Sequence, residues 1–146
     1  MQTRFSKFLL VVLCLLAAAF SAAQAQTLLT PAESTEYSKG GTLYEPLMDF
    51  IYSLDSQTEL MNIKKLTRTL RGREMVLCIL SDPPVYSPAD VFDSGKPVVL
   101  IANNVHGSEV AGKDASLEIM RDLVMGELRP LLEKVVVLNI PTLNPD

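Results

Sequence analysis

The chain has 146 residues, of which 48% are hydrophobic and 21% charged, and its formal net charge is −4. That length is enough for one domain with a core of ordinary size. A mildly acidic chain has no electrostatic reason to bind nucleic acid, so no nucleic-acid partner is expected.

Met1 to Ala25 reads as a secretory signal, with Arg4 and Lys7 in a positive leader, Phe8 to Phe20 as the apolar stretch and Ala23-Gln24-Ala25 as a small-residue cleavage site. An apolar stretch of 13 residues is well short of the roughly 20 that span a bilayer. Cleavage is therefore expected, with no stable membrane anchor afterwards and a secreted, extracellular or periplasmic location. Leu13 before Cys14 argues against a lipoprotein anchor. Loss of Arg4 and Lys7 takes the net charge from −4 to −6. Cys78 is then the one remaining cysteine, which excludes an internal disulfide, and its apolar run (Met75 to Leu80) suits a small buried hydrophobe.

Residues 26–41 are polar and turn-rich, with Pro31 and Gly40-Gly41, and predict an extended lead-in to the domain at 42–146. Thr42-Leu43-Tyr44-Glu45 has capping-box spacing and predicts a helix start, with Pro46 tolerated in the first turn. Leu47, Phe50, Ile51 and Leu54 then form one apolar stripe. Between Leu60 and Ser81 two extended stretches flank Leu70-Arg71-Gly72-Arg73, a β-hairpin in which Gly72 supplies the reversal. The second arm is apolar on both faces and is expected to be covered on both. Residues 82–97 hold Pro83, Pro84, Pro88 and Pro97 and read as a long surface connection.

Val98 to Ala102 is a continuous apolar run, expected to be a buried strand; Val110 to about Met125 reads as a helix and Val135 to Ile140 as a second strand. This order is one βαβ crossover, so the strands should be parallel. On the helix, Ala111, Ala115, Ile119 and Leu123, widened by Met120 and Val124, are expected to face the core. The fold class predicted is α/β, a mixed β-sheet flanked by helices.

His106 and Glu109 stand in the turn that leaves the Val98–Ala102 strand, where ligand sites of open α/β sheets collect. Three-residue spacing across a turn entering a helix can bring an imidazole nitrogen and a carboxylate to one zinc ion, and Gly107 between them is expected to ease the bend. With nine glutamates in the chain, the bare spacing is unspecific. The place of the pair after an apolar strand adds weight, because a histidine in a polar Asn-Asn-Val-His-Gly turn is badly placed as a core filler. A hydrogen-bonded structural turn and a metal-ligand pair both satisfy these features.

The order of these signals resembles the carboxypeptidase A-like zinc carboxypeptidases: a first helix, a Gly-Arg hairpin, strand-His-x-x-Glu-helix, then strand-Pro-x-x-Asn-Pro-Asp. Leu66 to Arg73 (LTRTLRGR) resembles the family's Ile-Gly-x-Ser-x-Glu-Gly-Arg turn, with Thr67, Thr69 and Arg71 in place of Gly, Ser and Glu. Ile140 to Asp146 (IPTLNPD) matches the Asn-Pro-Asp segment, and the likeness runs from about Thr30 to the last residue.

The resemblance implies that His106 and Glu109 are the first two ligands of one zinc ion, and that the third ligand, a His, lies downstream of Asp146. It places the catalytic Glu, a carboxylate-clamping Arg and a substrate-contacting Tyr there too, so no catalytic residue is expected in this chain. The chain is then expected to be the N-terminal part of a catalytic domain, truncated after the first third to half. Ser108 stands where members of the family carry an Arg that helps hold the peptide. The implied activity is hydrolysis of C-terminal peptide bonds of a peptide or protein substrate by zinc-activated water. Two other readings are a zinc-dependent deacylase or amidohydrolase of the aspartoacylase or succinylglutamate desuccinylase type, and a non-catalytic secreted binding module on the same fold.

Overall fold

The computed structural model describes residues 28–38 and 40–146. The signal segment at 1–25 lies outside the described residues. The elements in chain order are a 3₁₀ turn (Glu33–Thr35), α1 (Tyr44–Asp55), β1 (Met61–Arg68), β2 (Glu74–Leu80), α2 (Pro88–Asp93), β3 (Val98–Ala102), α3 (Val110–Met125), a second 3₁₀ turn (Arg129–Glu133) and β4 (Val136–Ile140). They form a mixed α/β layer whose four-stranded sheet has the order β1-β2-β4-β3. The pairings of β1 with β2 and of β2 with β4 are antiparallel, and β3 runs parallel to β4 with Val98 opposite Val136 and Ala102 opposite Ile140. None of the described helices is long and apolar enough to cross a membrane.

The hairpin turns where expected. Gly72 adopts φ +80, a region that costs glycine nothing, and its N–H donates to the Thr69 carbonyl at 3.0 Å. Val76, Cys78 and Leu80 on one face of β2 pack with α1 and α3, while Ile79 on the other packs with Val85 and Val136. The expectation of cover on both faces is met because residues 82–97 are more than a surface connection. They contain α2, whose start is fixed by reciprocal bonds between Ser87 and Asp90, and they lay Val85 and Val91 on the sheet.

The stripe of α1 is the one its spacing predicts, with Leu47, Ile51 and Leu54 fully buried. Its start differs. The N-cap is Leu43 and no side chain caps the helix. Thr42 is drawn inward instead, its N–H donating to Asp114 Oδ1 at 3.1 Å. The reciprocal Thr-x-x-Glu bonding forms upstream, where Thr30 N–H donates to Glu33 Oε2 at 2.7 Å and Glu33 N–H to the Thr30 hydroxyl at 3.2 Å. That turn, followed by left-handed Glu36 and Tyr37, makes residues 30–37 a folded lead-in and not an extended one.

Arg121 of α3 fastens this lead-in. It is almost fully buried and donates to Glu33 Oε2 at 2.5 Å and to the Leu28 carbonyl at 3.2 Å. Burial works against ionisation of Glu33, but the hydrogen bonds from Arg121 and Thr30 outweigh it and the carboxyl pKa is lowered. A depressed carboxyl pKa contributes stability that is present above the unfolded value and lost as pH falls through the folded one. Glu33→Gln should therefore lower the melting temperature at pH 7, and the gap to wild type should close as pH drops below the ordinary 4.5. A gap that stays constant down to pH about 3 would contradict this role.

Two expectations about burial are corrected. Strand β3 is not buried: Val98, Val99 and Leu100 are 47%, 43% and 61% exposed. Among the described residues it is an outer strand of the sheet, with only Ile101 packed against the core. On α3, Ala111, Ala115 and Ile119 are exposed, and the core face runs through Leu117, Met120, Leu123 and Val124. Alanine buries little area, so the larger side chains decide which way the helix turns.

Candidate metal centre

Beyond the ends of β3 and β4 the two chains continue side by side. Asn103 N–H donates to the Ile140 carbonyl, Leu143 N–H to the Asn103 carbonyl, and Asn144 N–H to the Asn104 carbonyl, at 3.0, 2.9 and 3.1 Å. The His106 turn is thus braced by the Pro141-to-Asp146 segment before it enters α3.

Asn104 is the hub of that brace. It is buried and left-handed, at φ +53, a conformation that asparagine tolerates better than most residues. Its side-chain Nδ2 donates to the carbonyls of His106, Gly107 and Glu109 at 2.9, 3.3 and 3.1 Å. Its Oδ1 accepts from the Thr142 hydroxyl at 2.8 Å. Three carbonyls around one atom require that atom to be the amide nitrogen, which fixes the orientation of the carboxamide. The backbone of the turn is therefore held from inside by one side chain, which leaves the His106 and Glu109 side chains pointing outward.

Those two side chains meet. His106 Nδ1 lies 3.1 Å from Glu109 Oε2, and both side chains are open to solvent. Behind them Glu109 N–H donates to the His106 carbonyl at 2.9 Å. Glu109 is the residue that caps α3 by position, yet its carboxylate makes no capping hydrogen bond and turns to His106 instead.

The donor set fits zinc. A neutral imidazole nitrogen and a carboxylate oxygen each lie about 2.0 to 2.2 Å from a tetrahedral zinc, which sets them about 3.3 Å apart. The observed 3.1 Å is within a small side-chain movement of that span. The described residues contain no group of three or more His, Cys, Asp and Glu side chains able to enclose an ion. His106 is the only histidine of the chain. Two candidate donors are thus brought together, and no third accompanies them among the described residues.

Gly107 is not the conformational requirement that its place suggested. A Cβ there would lie 3.9 Å from Asn144, in ordinary contact, and its φ is not left-handed. Asn104 takes the strained position instead. Ser108, between His106 and Glu109, is exposed. Gly41 has far less room than Gly107: it lies at φ +107, and an added Cβ would meet Val110 Cβ at 2.5 Å at the start of α3. Gly41→Ala should cost on the order of 3 kcal/mol from strain and overpacking together. Denaturant unfolding would measure it, and a loss below about 1 kcal/mol would show that the loop yields easily.

Sequence reasoning missed Asn104 and Thr142. The Asn-Asn pair directly after a strand was the available signal for the first, since asparagine is favoured in left-handed turns. Thr142 is 38 residues away from Asn104 and carries no local signal.

The family model described as zinc carboxypeptidase matches residues 47–146. Among solved structures, a metallo-carboxypeptidase from Burkholderia cenocepacia superposes with a TM-score of 0.60 at 22% identity, over 73% of this chain and 28% of that one. The carboxypeptidase A from Helicoverpa armigera does so with a TM-score of 0.61 at 20% identity, over 72% of this chain and 25% of that one. At these identities the likeness is one of fold. The chain spans about a quarter of the length of these solved proteins. No curated protein matches it.

Proposed function

This chain belongs to the zinc carboxypeptidase family, and on that premise we propose that it is part of a secreted enzyme that removes C-terminal residues from peptides or proteins with one zinc ion. The observation that carries the reading is the His106 Nδ1 to Glu109 Oε2 approach of 3.1 Å, open to solvent, at the carboxyl end of the parallel strand β3. His106 and Glu109 would hold the ion. When bound, zinc supplies Lewis-acid polarisation of a carbonyl and acidification of water. The residues of this chain do the positioning: Asn104 fixes the turn's carbonyls and Thr142 fixes Asn104. The remaining ligand, the proton-transferring Glu and the group that clamps the substrate's terminal carboxylate are assigned to sequence beyond Asp146.

The test is a hydrolysis assay on the intact protein with N-blocked peptides that have a free C-terminus. Release of the terminal residue, abolished by a zinc chelator and restored by added zinc, is the expected result. Turnover of N-acyl amino acids but not of peptides would replace this reading with a deacylase. Zinc binding without turnover of either would replace it with a binding module. Residues 28–146 alone should retain zinc only weakly and hydrolyse no peptide, because two protein ligands do not complete a site.

A further inference from the structure

The inner side of the His106 turn forms one wall of a cleft of about 360 Å³. The Gly40-to-Glu45 entry to α1, Arg73 of the hairpin and the first turn of α3 close its other sides. The starts of two helices, α1 and α3, therefore face one space, and each brings backbone N–H groups without helical partners and a partial positive charge.

Lys113 lines this cleft and is only 8% exposed. Buried lysines are rare unless paired, because an ammonium taken from water needs compensation. Among the described residues the Lys113 side chain has no hydrogen bond or ion pair, and its ammonium meets solvent only through the cleft. Burial pushes its pKa down, against the pull of the neighbouring Asp114 carboxylate, and Asp114 Oδ1 already accepts from the Thr42 N–H. A second cation, Arg73, reaches the same cleft. Its guanidinium lies 5.2 Å from the Tyr44 ring centroid and donates to the Pro145 carbonyl at 2.5 Å, both neutral partners. Thr42, in the same wall and almost fully buried, has a hydroxyl with no partner among the described residues. The acids on the rim, Glu45 and Asp146, are exposed, and Asp146 accepts from the Thr69 hydroxyl at 2.8 Å.

We propose that this cleft binds a small oxyanion, a carboxylate or phosphate, with the Lys113 ammonium as its counter-ion and Arg73 at its mouth. A charge-assisted hydrogen bond to the oxyanion would give Lys113 the partner it lacks. The site needs no metal, so it stands or falls separately from the zinc pair.

Calorimetric titration of the intact protein with succinate and with inorganic phosphate, in a zinc chelator and at fixed ionic strength, tests it. Saturable binding of either anion is expected, weakened about tenfold or more in Lys113→Gln, kept in Lys113→Arg and unaffected by His106→Ala. Which anion binds separates carboxylate from phosphate recognition. Reductive methylation of wild-type Lys113, followed by mass spectrometry, gives a readout that needs no variant to fold, and the anion that binds should slow it. Absence of saturable binding, equal affinity in Lys113→Gln, or methylation unchanged at saturating anion would each overturn the proposal.

Discussion

His106→Ala and Glu109→Ala should each strip the intact protein of zinc while leaving its fold unchanged. Both side chains are largely exposed, 74% and 66%, and neither contributes to the core. Exposed substitutions away from packing usually stay within about 0.5 kcal/mol, so the melting temperature of the metal-free protein should hardly move. The metal result is the opposite. Removing a proposed ligand should cost more than the roughly 10–100-fold in affinity that a supporting residue is worth. Metal analysis after dialysis against a weak chelator reads this directly, with the melting curve as control. Zinc content equal to wild type in either variant would remove that residue from the ligand set.

Asn104→Ala should lower both stability and zinc affinity, although Asn104 touches no metal. Three carbonyls of the turn and the Thr142 hydroxyl lose their partner at once, and alanine is strained at φ +53. Buried groups left unsatisfied cost about 1–3 kcal/mol each, less where water can reach them, so a loss of about 2–4 kcal/mol is expected. Zinc affinity should fall about 10–100-fold, the range for groups that orient ligands.

Two further variants separate the causes. Asn104→Gly removes the strain and keeps the lost hydrogen bonds, so it should recover only part of the stability. Asn104→Asp keeps shape and backbone preference but turns an oxygen toward three carbonyl oxygens, and should be at least as damaging as glycine. Normal zinc binding in Asn104→Asp would show that the carboxamide does not hold the turn.

What the sequence disclosed follows from how local each cause is. The stripe of α1 and the Gly72 reversal are set by neighbours within a few residues, and both stand as read. The β3-α3-β4 crossover was legible because chain handedness and strand length leave few alternatives. The 3.1 Å meeting of His106 and Glu109 was legible as a spacing across a turn.

The misreadings have non-local causes. Thr42 loses its capping role because Asp114, on another helix, takes its backbone N–H. On α3, Met120, Leu123 and Val124 face the core as expected, but Ala111, Ala115 and Ile119 do not, because the alanine row scores as apolar while Leu117 brings more area to pack. Polar groups follow the larger side chains inward on α3: Arg121 pairs with Glu33, and Lys113 lines a cleft. An apolar run such as Val98–Ala102 says that a strand is suited to burial, whereas its exposure depends on its place at the end of the sheet.

The central claim is that His106 and Glu109 share one zinc ion. Its most direct test is a crystal structure of the zinc-loaded intact protein with diffraction recorded on both sides of the zinc absorption edge. The account predicts an anomalous peak about 2.0 to 2.2 Å from an imidazole nitrogen of His106 and from a carboxylate oxygen of Glu109. A peak elsewhere, with His106 Nδ1 and Glu109 Oε2 still bonded only to each other, would contradict it.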